Sequence, residues 1–178
     1  LFMGDEVFPP LERAGDVTAH AAYVKPEGSA PAVKLLHHAV ICIARKRLWI
    51  QNPYFIPEPA AIDAFGEAVA RGVDVRVLVP SRYDHPWLRT IIAPFYNRLF
   101  KHGVRIWEWR GEMMHAKTNV VDGRWVRVGS TDFNLLGVAI NFALDAVIED
   151  ATLGAQAEQM FLEDLDQARE IRWRRSAV

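Results

Sequence analysis

HAKTNVVDGRWVRVGS, residues 115–130, consists of two runs of alternating side chains that meet at Asp122-Gly123. Asp-Gly tolerates the positive φ angles of a tight hairpin turn, so the stretch predicts two antiparallel strands hinged there. Side chains alternate across a strand, which puts His115, Lys117 and Asn119 on one face and Ala116, Thr118 and Val120 on the other. Before the hairpin, helical and strand patterns alternate. The predicted fold class is therefore α/β, a mixed β-sheet flanked by helices on both faces.

Working outward toward the N-terminus, VRIWEW (104–109) reads as a strand whose Trp107 and Trp109 share a packing face. A helix capped by Asp84 is expected to run to about Lys101, bent at Pro94. VDVRVLVP (73–80) is a strand with Val73, Val75, Val77 and Val79 on one face, preceded by a helix from about Glu58 to Ala70 that stops at Gly72. LWIQ (48–51) is a shorter strand. The spacing of Val33, Leu36, Val40, Ile43 and Ala44 predicts a helix from Ala32 to Arg47, with Arg45, Lys46 and Arg47 in its last turn, where cations suit the helix dipole. Residues 1–31 hold four prolines and three glycines, with a short strand expected around VTAHAAYV (17–24). On the other side of the hairpin, NFALDAVIED (141–150) is a strand and Leu153 to about Arg172 a closing amphipathic helix. We read residues 1–12 as a linker or fragment end and 13–178 as one domain.

About half of the 178 residues are hydrophobic, enough for the core of one domain, and the formal net charge is −1. Bulk attraction to nucleic acid or anionic lipid is thus not built into the composition, and an anionic ligand must be held by local charges. The single cysteine, Cys42, lies in an apolar run and is expected in the core. No apolar run is long enough to cross a bilayer. The chain begins at Leu1 and its start lacks the pattern of a signal peptide, which suggests a fragment of something longer.

His115 and Lys117 are either a chemical pair or an incidental pair on a solvated strand. A phosphodiester needs a cation on its oxygens and a group that attacks phosphorus or protonates the leaving oxygen; lysine supplies the first and histidine the second. The other histidines have ordinary readings: His37 and His38 lie in a helix with one facing out, His102 lies near a helix end, and His20 has no partner in sequence. No His, Cys or carboxylate spacing suggests a metal. Tyr54 and Phe55 of NPYFIP either line a lipid channel or pack a buried loop.

The order His115, one residue, Lys117, four residues, Asp122, then Gly129-Ser130, resembles the HKD motif of the phospholipase D superfamily. With IQNPYFIP (50–57), RGVDVRVLVP (71–80), DHPWLR (84–89) and GVRIWEW (103–109), the chain from Val33 to Ile171 is similar to the C-terminal half of bacterial cardiolipin synthases and related phosphatidyltransferases. The resemblance implies a phospholipase D-like fold, here one half, and a metal-independent phosphoryl transfer without cofactor. One HKD histidine attacks phosphorus to form a phosphohistidine, and a second protonates the departing alcohol and then activates the acceptor. It implies catalytic roles for His115 and Lys117, with Asp122 completing the motif and holding structure at the turn. Ser130, Asn134 and Asn119 are the candidate substrate contacts, as is His85 in a loop that relatives place near the substrate entrance.

This sequence carries one such motif, so the resemblance implies a second HKD-containing half as partner, from an upstream segment or a homodimer. The other implied partners are a phospholipid substrate and a membrane surface, on the cytoplasmic side of a bacterial inner membrane; nucleic acid is not expected. The terminal RWRR (172–175) reads as a solvated helix end or a headgroup contact. Two positions depart from the family's pattern. Asp132-Phe133-Asn134 stands where the family has asparagine, an apolar residue and aspartate, and Ala143 stands where a glutamate orients the catalytic histidine. Asp145, one pleat further on, is the candidate to replace that glutamate. Two alternatives remain open: a homodimeric nuclease of the same superfamily, and a catalytically impaired module that binds lipid or a partner half.

Overall fold

A computed structural model describes residues 9–10, 12, 14–25, 30–134 and 141–172. Its eight strands form one mixed sheet: β1 (Ala19–Val24), β2 (Arg47–Gln51), β3 (Asp74–Pro80), β4 (Arg105–Trp109), β5 (Thr118–Val121), β6 (Trp125–Gly129), β7 (Ala143–Glu149) and β8 (Ala168–Ile171). Their spatial order is β1-β7-β6-β5-β2-β3-β4-β8. The central β2, β3 and β4 are parallel, and every other pairing is antiparallel. Helices α1 (Ala30–Ile43), α2 (Pro59–Ala70) and α3 (Leu88–Lys101) pack on one face, where Ile41, Phe65 and Leu99 meet Leu48, Ile50, Val75, Val77 and Ile106. Helix α4 (Ala151–Asp166) covers part of the other face, with Phe161 against Trp49, Leu78 and Trp107, and Ala157 against Val120 and Val126.

The hairpin forms at the expected turn. Asp122 (φ 53°) and Gly123 (φ 66°) both take left-handed backbone, and β5 pairs with β6 so that Val121 faces Trp125. The alternating valines of β3 put Val75, Val77 and Val79 in the core beneath the three helices, which is why this run is a central strand.

Several boundaries differ from the sequence reading. Helix α1 ends at Ile43, so Arg45–Arg47 are not its last turn but the link into β2. Cys42 is exposed, because the helix turns Val40, Ile41 and Ala44 inward and Cys42 out. Asp84 does not cap α3, which starts at Leu88; its carboxylate accepts from the Tyr54 hydroxyl (2.6 Å) and from the His85 amide (2.9 Å). The closing helix stops at Asp166, and Ala168–Ile171 forms a strand beside β4. There Arg105 and Arg169 pair across the ladder with Glu170 and Glu108 (both 2.9 Å). Of the RWRR segment, only Arg172 lies among the described residues.

Asp122 binds the link after α1. Its carboxylate accepts from the backbone amides of Arg45 (2.9 Å), Lys46 (2.8 Å) and Arg47 (2.8 Å). Burial alone would raise its pKa, but these three donors outweigh it and hold the carboxyl below its ordinary value. A depressed folded value means that this stabilisation is full above the unfolded carboxyl pKa and is lost as pH falls through the folded one. Asp122→Ala is expected to cost about 2 kcal/mol at neutral pH, and less in acid, read by urea denaturation at several pH values.

Pairing directions bring five segments to one edge of the sheet. Strands β2, β3 and β6 end there, while β5 and β7 begin there. Asn52–Tyr54, Ser81–His85, His115–Lys117, Gly129–Asn134 and Asn141–Ala143 therefore share that edge. It lies at the carboxyl ends of the parallel strands, where open α/β sheets form their binding crevices.

Candidate functional site

His115 and Lys117 precede the regular ladder, which starts at Thr118; the Lys117 carbonyl accepts from the Gly129 amide (3.1 Å) and fixes the segment to β6. His115 is exposed and Lys117 is buried. Lys117 Nζ lies 3.2 Å from His115 Nε2 and 3.3 Å from the His115 carbonyl oxygen. The Tyr54 ring closes the other side, edge-on to His115 with centroids 6.0 Å apart and 5.9 Å from Lys117 Nζ. Burial together with its bond to Asp84 raises the Tyr54 phenol well above its ordinary value, so it stays a neutral donor.

Asp132 Oδ1 lies 3.4 Å from Lys117 Nζ. Burial pushes the Asp132 carboxyl up, against the pull of Lys117, His115 and Arg127. Burial also pushes the Lys117 ammonium down, with Asp132 opposing. Both shifts express the cost of removing charge from water.

Beneath the pair lies a buried network that sequence reading missed. Arg127 is fully buried; its Nε and Nη2 donate to Asn119 Oδ1 (3.0 and 2.8 Å), and its Nη1 to Asp145 Oδ2 (2.8 Å) and the Thr131 carbonyl (3.2 Å). The other Asp145 oxygen accepts from the Thr131 amide (3.1 Å). Asn119 thus stands behind the site and not in it. Asp145, expected as a substitute histidine orienter, has its carboxylate committed to Arg127 and Thr131. The available signal was register: a hairpin closed at Asp122-Gly123 sets Arg127 opposite Asn119, on the inward face.

Ala143 is buried against Val24 and Val33 as an apolar contact. Ser130 is exposed on the site edge, where its Oγ accepts from the Leu144 amide (2.9 Å). Asn134 Nδ2 donates to the Tyr54 carbonyl (3.2 Å), tying the loop after β6 to the loop after β2. His85 is exposed and stacks on Trp87 (5.7 Å), one residue from the Asp84 that holds Tyr54. Phe55 is core, whereas Tyr54 faces the site. His37 is buried and stacks on Phe133 (3.9 Å), and His38 faces out.

Gly129 is required by the network. A Cβ there would lie 1.9 Å from Asp145 Oδ1 and 2.5 Å from its Cα. Gly129→Ala is expected to displace Asp145 from Arg127 and to cost about 1–3 kcal/mol by chemical denaturation.

Among the described residues, no group of three or more His, Cys, Asp or Glu side chains could hold a metal, and no helix is long and apolar enough to cross a membrane.

The family model described as "Cardiolipin synthase, PLD-like domain" matches residues 38–165. The chain is 39% identical over 165 residues to cardiolipin synthase A of Pseudomonas entomophila, covering 93% of this chain and 34% of that protein. It is 29% identical over 167 residues to a cardiolipin synthase of Staphylococcus aureus, covering 94% of this chain and 34% of that protein. It therefore spans about a third of the length of these relatives. Among solved structures, Nuc from Salmonella typhimurium, described as a phospholipase D family member, superposes with a TM-score of 0.71 at 22% identity, covering 89% of this chain and 100% of that one. Phosphatidylserine synthase from Haemophilus influenzae superposes with a TM-score of 0.64 at 14% identity, covering 87% of this chain and 40% of that one. Both share the mixed-sheet fold.

Proposed function

Because the chain belongs to the cardiolipin synthase, PLD-like domain family, we propose that it supplies one His-Lys half of a site that transfers phosphatidyl groups between alcohols. The observation that carries this reading is an exposed imidazole with the ammonium of a buried lysine 3.2 Å from its Nε2, at the carboxyl edge of the sheet. In the proposed reaction, a histidine of the second half attacks phosphorus. His115 gives its proton to the departing alkoxide as the P–O bond breaks. His115 then takes the proton of the acceptor alcohol, whose oxygen attacks phosphorus and expels the histidine. Lys117 sits on the non-bridging oxygens and offsets the charge that builds there. Ser130 and His85 line the approach, and Asn134 holds the loops together. The second half comes from another segment or a second copy, and the donor is a phospholipid at a membrane surface.

The test is transfer of labelled phosphatidyl groups from phosphatidylglycerol vesicles to glycerol, phosphatidylglycerol or water, measured on the chain and on any longer protein that carries it. Transfer to none of these acceptors sinks the reading. A second reading, an impaired module, is favoured by Ala143, which offers no carboxylate to orient His115. On that reading Ala143→Glu is expected to raise turnover by at least about tenfold, and an unchanged rate means that the site is incomplete for another reason.

A further inference from the structure

Lys117 already carries an anion from within the chain. Asp132 Oδ1 is 3.4 Å from Nζ, and its side chain is only 10% exposed. The residues on either side of it are fixed. Thr131 is held at its amide by Asp145 (3.1 Å) and at its carbonyl by Arg127 (3.2 Å). The Phe133 amide donates to Asn52 Oδ1 (3.4 Å), and its ring packs in the core against His37. The backbone on both sides of Asp132 is anchored, and with its carboxylate in this position an incoming oxyanion shares Lys117 with it.

Two anions on one ammonium repel each other, more strongly where water is excluded. A protonated Asp132 would instead offer an O–H donor to the same oxyanion. We propose that Asp132 is a built-in counter-ion of Lys117, and that the site admits a tetrahedral oxyanion as Asp132 takes up a proton from solvent. The proposal rests on the reading of Lys117 as the phosphoryl-holding cation. The groups around Asp132 are Lys117 and His115 from the segment before β5, Arg127 from β6, Tyr54 from the loop after β2, Asp145 from β7 behind Thr131, and His37 of α1 behind Phe133. Burial raises the Asp132 carboxyl above its ordinary value against the combined pull of Lys117, His115 and Arg127.

Sulfate is the probe, because its charge is constant over the range used. Its affinity for the purified chain is measured by calorimetry from about pH 8 down to about pH 4, near the ordinary carboxyl range, in wild type, Asp132→Asn and Asp132→Asn/Lys117→Gln. Asp132→Asn is expected to bind about tenfold or more tightly than wild type at the alkaline end. The gap closes on acidification, and the added Lys117→Gln abolishes the gain. Wild type and Asp132→Asn differ at that residue alone, so the ratio between these two isolates Asp132. Equal affinities at every pH, weaker binding by Asp132→Asn, or no sulfate binding by either protein would overturn the proposal. A gap in affinity without phosphatidyl transfer would leave the counter-ion standing and remove the transferase reading; transfer without a gap would do the reverse.

Discussion

Replacing His115 by alanine is expected to lower phosphatidyl transfer by about a hundred- to ten-thousandfold while leaving the thermal midpoint nearly unchanged. The first figure is the usual worth of a positioned acid-base group. The second follows from its surroundings: the imidazole is exposed, and its contacts are the edge of Tyr54 and the Lys117 ammonium. A phosphatidyl-transfer assay beside a melting curve separates the two effects. An equal fall in stability would make His115 a structural residue. Retention of more than about a tenth of the rate would remove it from the acid-base role.

Arg127→Met should have the opposite profile. Arg127 is fully buried and makes four hydrogen bonds, to Asn119, Asp145 and Thr131. Removing it strands the fully buried Asp145 without a counter-ion, and breaking one side of a buried pair costs about 3–5 kcal/mol. The effect is to be read by urea denaturation. The double variant Arg127→Met/Asp145→Leu is expected to regain part of the loss, because no charge is then left unpaired. A single variant that costs less than about 1 kcal/mol would show that Asp145 finds water or another partner. Transfer should also fall, since the Thr131–Asp132 segment loses an anchor.

The fold was legible where local chemistry and tertiary demand agree. Asp-Gly with alternating flanks marks β5 and β6, and the valine alternation marks β3. Sequence reading failed where distant partners decide. Ala168–Ile171 looked like the tail of a helix, but the open edge of β4 and the charges of Glu108 draw it into the sheet. Arg45–Arg47 suited a helix end by charge, yet Asp122, some 75 residues away, captures their amides. The site followed the same division. His115 and Lys117 stood out through the resemblance of their spacing and flanking segments to a known family, whereas the commitment of Asp145 to Arg127 depends on strands being side by side. Asp132 was legible as a departure from the family's pattern, but its position on Lys117 was not.

Lys117 precedes β5 and Asp122 follows it, about 17 Å apart at the usual rise per residue. A one-residue slip of β5 along β2 would rotate every side chain to the opposite face, sending His115 and Lys117 toward α4. Such a slip would also pull the Asp122 carboxylate out of the amides it grips. The aspartate is thus a stop that fixes the register of β5, and with it the face to which His115 and Lys117 point.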